Sequence, residues 1–99
     1  MKVGILGSGS MGGKLGTIFA RAGHDVVFSY ARSDDKLREL ARSAGPRARA
    51  GTPREAVESA DALLLAVHWS RVEDVLRQGG DVSGKVMEAL AVVKAVLRP

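Results

Sequence analysis

Residues 62–67 read ALLLAV, six apolar residues without a break, set between Asp61 and His68. A strand that is apolar in both registers must be buried on both faces, which is the situation of a strand inside a parallel sheet covered by helices on each side. The rest of the chain then has to supply parallel partners and the helices that connect them.

The pattern meets that demand. Residues 2–6 form a short apolar run ending at Gly7, and from Ser10 the period changes: Met11, Leu15, Ile18, Phe19 and Ala22 fall at helical spacing up to Gly23, a natural left-handed cap. Residues 25–30, with Val26, Val27 and Phe28 in a row, predict a second strand. Leu37, Leu40, Ala41 and Ala44 give a second helical stripe closed by Gly45 and Pro46, and a third strand is placed at residues 47–51 by the alternation alone. Thr52 and Glu55 have capping-box spacing with Pro53 at the first helical position, which predicts a helix to about Ala60. Ser70 and Glu73 repeat the capping-box spacing ahead of Val72, Val75 and Leu76, with Gly79 and Gly80 as the stop. Strict β-α alternation and right-handed crossovers predict an α/β fold, the nucleotide-binding half of a doubly wound, Rossmann-type parallel sheet in the order 3-2-1-4.

Composition narrows the functions open to such a chain. Ninety-nine residues suit one compact domain, and 45% apolar with 26% charged content is ordinary for a globular protein. There are no cysteines, and the two histidines stand far apart at 24 and 68, which excludes thiolate chemistry and argues against a protein-borne metal centre. No apolar run reaches the roughly 20 residues of a membrane span, and the N-terminus lacks the plan of a signal peptide, so a cytoplasmic protein with no membrane partner is expected. The net charge of +4 favours anionic partners, but no nucleic-acid motif or aromatic platform accompanies it, and a nucleotide phosphate satisfies it equally well.

Gly7, Gly9 and Gly12 make a G-x-G-x-x-G that follows a predicted strand and opens a predicted helix. Gly7 would permit the tight turn, Gly9 the approach of a pyrophosphate to the backbone, and Gly12 close packing of helix on strand. Ser8, Ser10 and Met11 lie in the same turn, and the N–H groups around Ser10 and Met11 sit at the positive end of the helix dipole. The competing reading is a plain strand-to-helix turn with a packing glycine.

An NAD site usually carries an acid at the end of the second strand, about 20 residues past the glycines, to bind the ribose hydroxyls. Here the stretch is Ser29-Tyr30-Ala31-Arg32-Ser33, with no acid until Asp34. Arg32, Ser33 and Lys36 can all donate to a 2′-phosphate, so NADP is favoured over NAD. Against this, Arg32 and Lys36 can be solvated charges and Ser33 the cap of the second helix, while Asp34 and Asp35 suit a helix N-terminus. Val67, His68 and Trp69 follow the fourth strand at the end that lines the ligand crevice in such folds. Trp69 could equally pack over the sheet edge and His68 cap a turn.

These stretches, MKVGILGSGSMGGKLGTIFARAGHDVVFSYARS and DALLLAVHW, resemble the N-terminal domain of the NADPH-dependent deazaflavin (coenzyme F-420) oxidoreductases and their NADP-binding relatives, and more distantly the pyrroline-5-carboxylate reductases. The resemblance runs over residues 1–86 and implies hydride transfer between NADP(H) and a deazaflavin or flavin-like co-substrate. It further implies that Gly7, Gly9 and Gly12 match the pyrophosphate turn, that Arg32, Ser33 and Lys36 match the 2′-phosphate contacts, and that His68 and Trp69 match the segment beside the cofactor. Hydride transfer needs no acid from the protein, because the cofactors carry the chemistry, so no catalytic residue is assigned.

After Gly84-Lys85-Val86 the family continues as a fifth apolar strand and then a helical second domain. This chain reads MEALAVVKAVLRP instead, with Val86, Leu90, Val93 and Leu97 at helical spacing. The expected organisation is an NADP-binding domain, 1–86, and an atypical tail, 87–99, with the substrate domain missing. Loss of the fifth strand would leave the fourth as an open edge, which predicts a homo-oligomer that covers it with the tail or with a second copy.

Overall fold

The computed structural model describes residues 1–31, 33–67 and 69–80. Among them the order is β1 (Lys2–Leu6), α1 (Ser10–Arg21), β2 (Asp25–Ser29), α2 (Asp34–Ala44), β3 (Ala48–Ala50), α3 (Pro53–Ser59), β4 (Ala62–Leu65), a 3-10 turn (Trp69–Arg71) and α4 (Val72–Gly79). The strands form one parallel sheet in the order β3-β2-β1-β4. The place where the family has its fifth strand and the atypical tail both lie outside the described residues, as do Arg32 and His68.

Alternation along the strands divides the core in two. Val3, Ile5, Val26, Phe28 and Leu64 point to one face, where Ala20 of α1 and Leu37, Ala41 and Ala44 of α2 cover them. Leu6, Val27, Leu63, Leu65 and Val67 point to the other, under Ala56 and Val57 of α3 and Val75 of α4. Ile5, Leu6 and Phe28 are completely buried, and each contributes about 1.5–3 kcal/mol through removal of its apolar surface from water. The unbroken apolar run of residues 62–67 is thereby explained: successive side chains enter opposite cores.

The helix ends follow local chemistry. Thr52 Oγ1 accepts from the Glu55 N–H and the Glu55 carboxylate accepts from the Thr52 N–H, both at 3.1 Å, which closes the expected capping box. Ser33 caps α2 by accepting from the Lys36 N–H at 3.2 Å. Gly23, Gly45 and Gly80 carry positive φ just beyond α1, α2 and α4.

Two expectations change. The stripe of large residues on α1 is only partly its inner face: Ile18 is 60% exposed and Ala22 is exposed, while Gly12, Gly16 and Ala20 are buried against the sheet. A side chain at Gly16 would run into the ring of Phe28, so this helix sits too close to the sheet for large residues. The expected cap position at Ser70 shifts: residues 69–71 make the 3-10 turn, and α4 begins at Val72 with Arg71 at the cap position, whose side chain makes no capping bond.

Candidate dinucleotide site at the ends of the strands

Register brings Leu6, Ser29 and Leu65 level, so the chain leaves β1, β2 and β4 at one common edge. The glycine turn starts there. Gly7 has φ +112°, and a side chain on it would strike the Ala66 carbonyl and Val67 Cγ1. Only glycine suits a position that is both left-handed and crowded. Val67 is itself buried and packs directly beneath the glycine turn.

Hydrogen bonds fix the turn to the end of β2. The Gly7 N–H donates to the Ser29 carbonyl at 3.0 Å, the Ser8 N–H to the Tyr30 carbonyl at 3.0 Å, and Ser8 Oγ to the Ser29 carbonyl at 2.7 Å. Ser29, fully buried, donates its own hydroxyl to the Ile5 carbonyl at 2.7 Å. Ser8 is therefore an internal brace whose hydroxyl already has a backbone partner. Ser29 was not singled out from sequence, although a serine closing the run Val26-Val27-Phe28 is an available signal.

Gly9 is the N-cap of α1 and offers no side chain to its first amides. Nothing lies within 4 Å of where a side chain on Gly9 would stand, and the first turn of α1 holds no acid. The Gly13 N–H closes the first helical bond to the Gly9 carbonyl at 2.8 Å. The amides of Ser10, Met11 and Gly12 are the ones that helix geometry leaves for a ligand. This is open space bordered by donors and the positive end of a dipole, suited to an anion.

Across the edge, Ser33 and the exposed Lys36 occupy the start of α2, with Asp34 and Asp35 in its first turn. Asp35 is paired with Arg38 at 2.5 Å. The end of β2 presents no carboxylate: Ser29 is turned inward, and Tyr30 Oη donates to Asp74 Oδ2 of α4 at 2.6 Å. That bond, together with burial, raises the Tyr30 pKa, and the same hydroxyl holds the Asp74 carboxyl below its ordinary range. Trp69 opens the 3-10 turn four residues past the end of β4. Gly7, Ser8, Gly9, Met11, Gly12 and Val67 are thus brought together around one turn, with Ser33 and Lys36 on the neighbouring connection. No group of three or more metal-ligating side chains occurs among the described residues.

Fold and edge together define a Rossmann-type, nucleotide-binding α/β domain. The chain belongs to the family described as NADP oxidoreductase, coenzyme F420-dependent, whose model matches residues 2–90. It is 36% identical over 94 residues to the pyrroline-5-carboxylate reductase of Treponema pallidum (strain Nichols), covering 92% of this chain and 35% of that protein. Two solved structures share the fold. One, described as an F420-dependent NADP-reductase from Arthrobacter sp. FB24, is 18% identical with a TM-score of 0.69, over 81% of this chain and 39% of that one. The other, a PanE/ApbA family ketopantoate reductase from Ralstonia eutropha JMP134, is 24% identical with a TM-score of 0.65, over 90% of this chain and 32% of that one. The chain spans about a third of the length of these relatives.

Proposed function

We propose that this chain binds NADP(H) along the common edge of β2, β1 and β4, as the cofactor-binding part of an oxidoreductase. The observation that carries the reading is the open space over Gly9 at an uncapped, acid-free helix N-terminus, beside a β2 end whose own residues, 29–33, include no acid. A pyrophosphate would lie over Gly9 and accept from the amides of Ser10, Met11 and Gly12, while Gly7 and Ser8 hold the turn in shape. The 2′-phosphate would meet Ser33 and Lys36, with Arg32 between the end of β2 and Ser33 in sequence. Ser33 Oγ accepts from the helix and keeps its O–H to donate, so the capping and phosphate roles are compatible.

When bound, the dinucleotide would supply the hydride and the protein would orient it, with Val67, His68 and Trp69, the segment after β4, proposed to lie beside it. The reading extends to a deazaflavin or flavin-like hydride acceptor, in keeping with the family's description, and to a homo-oligomer that covers the β4 edge, where β4 ends the described sheet.

Calorimetric titration with NADPH, NADH and 2′-phospho-AMP tests the core of it. Tight binding of NADPH and 2′-phospho-AMP with weak binding of NADH is expected. Equal affinity for NADPH and NADH would remove the 2′-phosphate argument, and no binding would remove the function. Turnover with deazaflavin and flavin acceptors separates an enzyme from a module that only binds the cofactor.

A further inference from the structure

Tyr30 is the non-glycine residue with positive φ among the described residues, at +62°. A bulky aromatic residue holds the left-handed conformation only where its surroundings enforce it, and such residues concentrate at functional sites. Three constraints act on this one. Its carbonyl accepts from the Ser8 N–H in the glycine turn, its ring packs on the apolar core beneath α3 and α4, and its hydroxyl donates to Asp74 Oδ2. Asp74 is steadied in turn by the Gln78 side-chain amide at 3.1 Å.

The topology gives this bond its meaning. It runs from the end of β2 to α4, the helix after β4, and so passes the end of β1, which lies between those strands. The glycine turn leaves β1 toward α1 and rests on the Tyr30 carbonyl; the chain beyond Tyr30 leads within three residues to Ser33, the cap of α2. One residue therefore couples the turn proposed for the pyrophosphate to the connection proposed for the 2′-phosphate.

We infer that Tyr30 and Asp74 are positioning residues for the adenosine half of the bound dinucleotide, their hydrogen bond holding the end of β2 so that the glycine turn and the start of α2 face one ligand together. This rests on the dinucleotide reading above. Without the bond, Tyr30 is released toward the extended backbone that an aromatic residue prefers, which turns the carbonyl away from Ser8 and redirects the chain toward Ser33.

The test compares the full chain with Tyr30→Phe, Asp74→Ala and Asp74→Asn by titration with NADPH and 2′-phospho-AMP, with melting temperatures recorded alongside. Tyr30→Phe and Asp74→Ala are expected to weaken both nucleotides by the same factor of about ten, the scale of a binding group displaced by a fraction of an ångström. Asp74→Asn keeps an acceptor oxygen and should restore affinity to near that of the unaltered chain. A role in stability alone would lower the melting temperature and leave the affinity of folded protein unchanged, which overturns the inference. So would an Asp74→Asn as weak as Asp74→Ala, since charge and not the bridge would then matter. Failure of the unaltered chain to bind either nucleotide defeats the dinucleotide reading first, and is seen before any variant is made. Should Tyr30→Phe not fold, the two Asp74 variants carry the comparison.

Discussion

The place a side chain would take at Gly12 is already held by the carbonyl oxygen of Gly7. The first turn of α1 thus lies directly on the turn that leaves β1, and Gly9, two residues after Gly7, faces open space instead. The motif's glycines do different things, and alanine separates them. Gly12→Ala forces helix and turn apart and should destabilise the fold by about 1–3 kcal/mol, the usual effect of overpacking. Gly9→Ala has room for its methyl group and a backbone at φ −81° that any residue adopts. Its melting temperature should stay within a degree or two of the unaltered chain, while NADPH affinity falls at least about tenfold because the methyl occupies the ligand's side of the turn. Thermal melts with calorimetry on both variants check the contrast, and a Gly9→Ala protein that binds normally would put the ligand elsewhere.

The second close approach is Gly16 against Phe28. Phe28 is completely buried, so Phe28→Ala should cost about 3–5 kcal/mol. Gly16→Ala should itself destabilise by about 1–3 kcal/mol, since its methyl meets the ring. The two effects are not independent. Combining Gly16→Ala with Phe28→Leu should lose less than the sum of the single changes, because the smaller side chain vacates the space the methyl needs. Denaturant unfolding of the two singles and the double measures the coupling, and simple additivity would show that helix and sheet part without regard to this contact.

How much of this was legible follows from what leaves a mark in sequence. The strands, the caps of α2 and α3 and the glycine turn are readable because burial on two faces, capping and positive φ each demand particular residues. The apolar stripe of α1 does not mark its inner face at Ile18 and Ala22, because a helix pressed against a sheet buries Gly12, Gly16 and Ala20, and small residues carry little hydrophobic signal. The Ser70–Glu73 spacing has a capping box's letters, but the 3-10 turn uses Ser70 before α4 starts. The Tyr30–Asp74 bond joins residues 44 apart in sequence, and a left-handed tyrosine has no sequence signature. Such pairings depend on how α4 settles beside β4, which periodicity does not specify.

That bond also sets the response to pH. The Tyr30 hydroxyl, ahead of Gln78, holds the Asp74 carboxyl below its ordinary 3.8, and the Thr52 backbone N–H, ahead of its hydroxyl, holds the Glu55 carboxyl below 4.5. Both groups contribute fully above those ordinary values, and the contributions disappear as the pH falls through the lowered ones. Tyr30 behaves in the opposite sense. Its pKa is raised above 10.0, first by the bond to Asp74, so its contribution is intact below 10.0 and is lost as the pH rises through the raised value. Tyr30 is the chain's single tyrosine, so the tyrosinate absorbance of the folded protein titrates this group alone. Its midpoint should lie above that of the unfolded chain and move back toward it in Asp74→Ala.

Ser33 and Lys36 allow the cofactor preference to be taken apart. Ser33→Ala removes the N-cap of α2 and should destabilise by about 1 kcal/mol, whatever the ligand. Lys36→Gln leaves a good helix former at an exposed position and should leave the melting temperature unchanged. If both side chains meet a 2′-phosphate, each variant lowers affinity for NADPH severalfold and leaves that for NADH alone, so the ratio of the two falls while the fold is intact. The Lys36 component should also fade as salt is raised, because that ammonium is exposed and its attraction is screened over about 10 Å at 0.1 M. Trp69 is the single tryptophan, so if it borders the cofactor as proposed, its fluorescence should change in these titrations. Parallel loss for both nucleotides would mean that Ser33 and Lys36 act only through α2 and that neither meets a 2′-phosphate.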